Sequence, residues 1–117
     1  MLYENLDVWK RSRLMSIDVY RVLKDCRDYG FKDQITRSML SVPSNIAEGC
    51  ERISVKERKR FLDFAKGSLG EFKTQADIGV EIEYIPRDIG EKWLSESREL
   101  ARMLGELIKK VDEKIES

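Results

Sequence analysis

Ser41-Val42-Pro43-Ser44-Asn45-Ile46-Ala47-Glu48-Gly49 joins a helical apolar seam to residues that a plain helix avoids. Ile35, Met39, Val42 and Ile46 recur at steps of four, three and four, which places them on one helical face. Pro43 falls inside that pattern. Having no N–H and crowding the carbonyl of Met39, it predicts a bend costing about 3 kcal/mol unless neighbours compensate. Gly49 is expected to end the helix as a C′ residue of positive φ. Beside the seam run Gln34, Ser38, Ser41, Asn45 and Glu48, small and polar where a surface helix would carry Lys and Glu. That line predicts either close approach of another helix with hydrogen bonds across it, or ordinary exposure to water.

Three further helices follow from the same reading. The first begins near Asp7, a suitable N-cap, and carries Val8, Ser12, Met15, Val19, Val22, Cys26 and Tyr29, widened by Leu14, Ile17 and Leu23. Gly30 is expected to stop it after roughly 22 residues, or about 33 Å. A turn of a few residues leads to a second helix starting at Phe31 to Asp33 and running through Pro43 to Glu48, so the two should form an antiparallel hairpin. Ser54-Val55-Lys56-Glu57 has the form of a capping box and opens a long third helix. Its line is Phe61, Ala65, Ser68, Phe72, Gln75, Gly79 and Ile82, flanked by Leu62, Leu69, Ala76 and Val80. Gly67, Gly70 and Gly79 would each cost this helix up to about 1 kcal/mol, which predicts that another backbone comes close there. Pro86 breaks the run, and Asp88 with Glu91 suggests a second cap. The fourth helix carries Ile89, Trp93, Leu100, Leu104, Leu107, Ile108, Val111 and Ile115.

These elements predict an all-α, up-down-up-down antiparallel four-helix bundle with a Pro-kinked second helix, a single domain over residues 1–117. Helices one, three and four should supply most of the core. The small polar line of helix two could then face Ser68, Glu71 and Gln75, within one subunit or across an interface between subunits.

Composition narrows the function classes. Charged residues make up 38% of the chain and balance to zero, which argues against a bulk polyanion binder. The balance is uneven along the chain: residues 1–60 hold 13 Lys and Arg against 9 Asp and Glu, and residues 61–117 hold 9 against 13. That asymmetry fits head-to-tail subunit contact as well as a nucleic-acid face. Cys26 and Cys50 are too few for a disulfide framework and lack metal-ligand spacing; Cys26 reads as a small buried side chain and Cys50 as a loop residue. With no apolar run near 18 residues and no signal-like start, a cytoplasmic protein without membrane contact is expected.

The motif from Ser41 to Gly49, followed by Arg52, Ser54 and Phe61-Leu-Asp-Phe-Ala-Lys-Gly-Ser-Leu-Gly-Glu71, resembles the signature of the 23S rRNA intervening-sequence protein family. Leu6-Asp7-Val8-Trp9-Lys10 and Glu83-Tyr84-Ile85 are similar to it as well, so the resemblance covers nearly the whole chain. It implies a small bundle that assembles into a homopentamer and is encoded, in some bacteria, within insertions of the large ribosomal RNA gene. It implies less about activity, since a role in binding RNA is inferred from that location. By fold, the accessory protein of diversity-generating retroelements is a more distant relative, but this chain lacks the strongly basic balance expected of such a protein.

The chain has no histidine, which removes Glu-x-x-His di-iron sites and Ser-His or Cys-His nucleophilic pairs. A carboxylate site from Glu48 and Glu71 is outweighed by a hydrogen-bond network among Ser41, Asn45, Glu48, Ser68, Glu71 and Gln75 around Pro43, at helix packing or a subunit interface. No P-loop occurs. The expectation is therefore no enzyme, no cofactor, no metal and no small-molecule substrate. Contact with RNA or DNA is expected, if anywhere, along Arg52, Lys56, Arg58, Lys59 and Arg60, with Lys10, Arg11 and Arg13 as a shorter cluster. Either run reads more simply as a solvated helix face. Aromatic stacking platforms are not expected nearby, which argues against sequence-specific reading of a single strand. The alternative is a protein-interaction scaffold, or an accessory subunit to a reverse transcriptase or another nucleic-acid enzyme, with no direct nucleic-acid role.

Overall fold

The computed structural model describes residues 2–116, with side chains through Glu113, so the Ile115 side chain assigned to the last stripe lies outside the described residues. After a short 3-10 turn at Tyr3–Asn5, four helices follow: α1 (Asp7–Val22), α2 (Tyr29–Glu51), α3 (Val55–Glu81) and α4 (Arg87–Glu116). They form an up-down-up-down bundle 49 Å long and 21 Å across, as helices of 27 and 30 residues require at 1.5 Å per residue. None of the described helices is long and apolar enough to cross a membrane.

The seam of α2 is the centre of the core. Ile35, Met39, Val42 and Ile46 are all fully buried, and they meet Leu62, Ala65, Leu69, Phe72 and Ala76 of α3. The α3 line is therefore rotated by about one position from the expected one: Leu62, Leu69 and Ala76 point inward, and Ile82 is 46% exposed. α1 adds Val8, Met15, Val19 and the following Leu23, and α4 adds Trp93, Leu100, Leu104 and Val111. The buried Ser12, Thr36, Ser38 and Ser97 hydroxyls are satisfied within their own helices, as where Ser12 donates to the Trp9 carbonyl at 3.0 Å and Ser97 to the Trp93 carbonyl at 2.7 Å.

Several expected boundaries need correction. α1 ends at Val22, well before Gly30, because Asp28 takes the N-cap of α2 and accepts from the Phe31 N–H at 3.1 Å; Gly30 lies inside the first turn of α2, and Cys26 lies in the connection. α1 is thus the shortest helix, and α2 rather than α1 makes the larger share of the core. Asp7 is the first residue of α1 instead of its cap, and Asp88 likewise lies inside the first turn of α4. α2 continues past Gly49 and Cys50 to Glu51, and no glycine in the described chain has positive φ. Pro43 sits inside α2 without interrupting it, and Ser44 and Asn45 donate to the Leu40 and Ser41 carbonyls, both at 2.8 Å.

Gly49 is selected by space. A Cβ built there would lie 3.2 Å from the Arg58 carbonyl oxygen and 3.3 Å from the Phe61 Cβ, so α2 and α3 could not cross as closely with any other residue. Gly79 is tighter still, 2.5 Å from Ile85 Cδ1 and 2.8 Å from Phe31 Cζ, and it admits the buried Ile85 between α3 and α4. Gly67 and Gly70 differ: a Cβ at either meets nothing within 4 Å, so the close packing expected there does not occur within this chain.

Candidate nucleic-acid interface

The basic run wraps the corner where α2 passes into α3. Ser54 caps α3 by accepting from the Glu57 N–H at 3.4 Å, which sets Lys56, Arg58, Lys59 and Arg60 on its first two turns. Cations there oppose the helix dipole, and local partners offset that cost. Arg52 pairs with Glu48, Arg60 with Glu57 at 3.3 Å, and Lys59 with Asp63 at 3.6 Å and with Asp112 of α4 at 3.8 Å. Arg58 donates through Nε to the Arg52 carbonyl at 2.7 Å. The exposed Lys56 pairs with no carboxylate among the described residues. Most of the formal charge of this corner is compensated where it stands.

Two aromatic rings complete the corner, contrary to the expectation that none lies nearby. The Arg52 guanidinium carbon is 4.9 Å from the Phe61 centroid, and that of Arg60 is 5.3 Å from Phe61 and 5.4 Å from Phe64. The two rings meet edge to face at 5.7 Å and 88°, and Phe64 is 47% exposed. Each contact lies within cation–π range. The signal was present in the sequence: Phe64 follows Arg60 by four residues and Phe61 by three, the spacings that meet on a helix.

The small polar line lies beside this corner. Ser41 Oγ and Ser68 Oγ are 2.9 Å apart across α2 and α3, and Asn45 Nδ2 donates to both the carbonyl and the Oγ of Ser41 at 2.8 Å. Those three residues are brought together within one subunit. Pro43 is buried, whereas Glu48 and Glu71 are exposed and Glu48 is engaged by Arg52. Gln34, Ser38, Ser68, Glu71 and Gln75 line a shallow groove of about 400 Å³ between the helices, with Gln75 Oε1 sealed from solvent and lacking a hydrogen-bond partner. Among the described residues no group of three or more Cys, Asp or Glu could hold a metal ion. Burial pushes the half-buried Cys50 thiol up, away from reactivity.

A second feature escaped the sequence reading. Between α1 and α4 a cleft of about 700 Å³ opens over Met15, Val22, Ile89 and Trp93. Arg11 spans it to Glu96, donating through Nε at 2.9 Å, and Trp93 Nε1 donates to Asp18 at 2.8 Å. Arg11 of the shorter basic cluster is thus held by a carboxylate, which keeps its guanidinium above the ordinary range, while Lys10 and Arg13 are exposed. Leu14 on its lip is 61% exposed.

Residues 4–106 match the family described as 23S rRNA-intervening sequence protein. A solved structure with the same fold, a protein of unknown function from the S23 ribosomal protein family of Bacteroides thetaiotaomicron VPI-5482, superimposes with a TM-score of 0.82 at 24% identity. The likeness covers 87% of this chain and 98% of that one. No curated protein matches the chain.

Proposed function

Because the chain belongs to the 23S rRNA-intervening sequence protein family, we propose that it is a non-enzymatic, homo-oligomeric bundle of the bacterial cytoplasm that associates with nucleic acid through the corner between α2 and α3. The observation carrying this reading is the set of guanidinium groups of Arg52 and Arg60 ordered over Phe61 and Phe64, with Lys56, Arg58 and Lys59 on the same two turns. Arginine held over an aromatic ring by a neighbouring carboxylate offers a flat cationic surface to a base. The pentamer implied by the resemblance would repeat the corner around an axis and multiply its field. Exposed Ile78 on α3, Ile82 at its C-cap and Leu14 on α1 supply apolar surface for such assembly.

Fluorescence anisotropy with a labelled RNA at low salt tests the proposal. The wild-type chain should bind, and the Arg58→Glu, Lys59→Glu, Arg60→Glu triple variant should lose binding while keeping its helical circular dichroism. Equal binding by both, or none by either, overturns it.

The compensation of charge at the corner favours a second reading, a protein-interaction scaffold or accessory subunit in which the open α1–α4 cleft is the working surface. A partner that stays bound through nuclease treatment, and is released by substituting Leu14 rather than Arg60, supports that reading.

A further inference from the structure

Resting on the nucleic-acid reading above, we infer that the corner selects single strands, with an unpaired base stacked on the Arg60–Phe64 pair. The charge is too well matched for phosphate attraction to carry affinity by itself. Glu48, Glu57, Asp63 and Asp112 answer Arg52, Arg60 and Lys59, and Arg58 is turned onto a backbone carbonyl, which leaves Lys56 as the cation open to a phosphate. One or two phosphate contacts on a single strand give a slope of log affinity against log salt of only about −1.

The aromatic side of the corner is built more firmly. Glu57 holds Arg60, Nη1 donating at 3.4 Å, so that its guanidinium covers Phe61 and Phe64 together; Glu48 holds Arg52 over Phe61. The Arg60 side chain is still 57% exposed and Phe64 47% exposed, so this column ends in open flat surface. A base stacked there continues the column, and its own 5′ or 3′ phosphate falls to Lys56 one turn away on α3. A duplex has no free base face inside its stack to offer, and it loses that contact. Stacking tolerates every base, so selection is for strandedness and not for sequence. Neither the 2′-OH nor the sugar enters the column, so RNA and DNA strands share the chemistry.

The test measures binding of four labelled probes: an oligoadenylate in RNA and in DNA form, an abasic DNA strand of the same length, and the corresponding RNA duplex. Wild-type protein should bind both oligoadenylates about tenfold or more tightly than the abasic strand or the duplex. Phe64→Ala should reduce oligoadenylate binding to the abasic level and leave abasic binding unchanged, while Phe64→Tyr, which keeps the ring, should retain it. Abasic and normal strands bound equally, or a Phe64→Ala variant bound as tightly as wild type, overturns base stacking while leaving phosphate association intact. No binding of any probe by the wild type overturns both. Phe64 lies half outside the core, and a thermal melt of each variant confirms that the bundle is intact.

Discussion

The seam between α2 and α3 and the seam between α1 and α4 solve the same packing problem with opposite materials. The first carries small residues beside its apolar core: Gly49 lets the backbone carbonyl of Arg58 come close, and Ser41, Ser68 and Asn45 stitch the approach with neutral hydrogen bonds. The second is made of long ones. Arg11 reaches Glu96 and Trp93 reaches Asp18, and behind those struts the helices stand apart around a cleft of about 700 Å³.

The contrast predicts a graded response to substitution. Gly49→Val should do most damage, about 3 kcal/mol by urea denaturation, since its Cβ alone would already crowd Arg58 and Phe61; an unchanged midpoint would show that the close seam can open without strain. Ser41→Ala comes next, at about 1 kcal/mol, because Ser68 loses its cross-helix partner and Asn45 keeps only the carbonyl. If Ser41→Val costs no more than Ala, the hydroxyl and not the volume is what matters there. Arg11→Ala should be mildest, about 0.5 kcal/mol and smaller in high salt, because the Arg11 side chain is 40% exposed beside Glu96. A loss as large as that at Gly49 would mean the open seam is held as tightly as the closed one.

What the residues revealed in advance follows the same division. The seam Ile35, Met39, Val42 and Ile46 and the Ser54 cap were legible because helical period and capping are local matters. The role of Gly49 was not, since a glycine that ends a helix and a glycine that admits a neighbour look alike until the path of α3 is known. Gly67 and Gly70 face open space within this subunit, so the close approach expected there is not made by this chain's own helices. At the end of α1 two local signals competed: the apolar period continued to Tyr29, but Asp28 found the Phe31 N–H and the Tyr84 hydroxyl, at 3.1 and 2.9 Å, and the cap prevailed. Those two donors hold the Asp28 carboxyl below its usual range. The Arg60–Phe64 column does leave a local trace, the four-residue spacing that brings a cation and a ring together on one helix face. The α1–α4 cleft, which depends on how far apart two distant helices settle, left no such trace.

The ion pair from Lys59 to Asp112 carries a lesson in polarity. It ties the far end of α4 to the α2–α3 corner, whereas the Asp28–Tyr84 bond joins the other two corners at the opposite pole. The start of α1 and the end of α4 therefore lie at the same pole of the bundle as the cation–aromatic column. A reporter fused near either of those helix ends would share a pole with the face whose binding is to be measured, whereas one grafted into the connection around Lys24 to Arg27 would sit a bundle's length away.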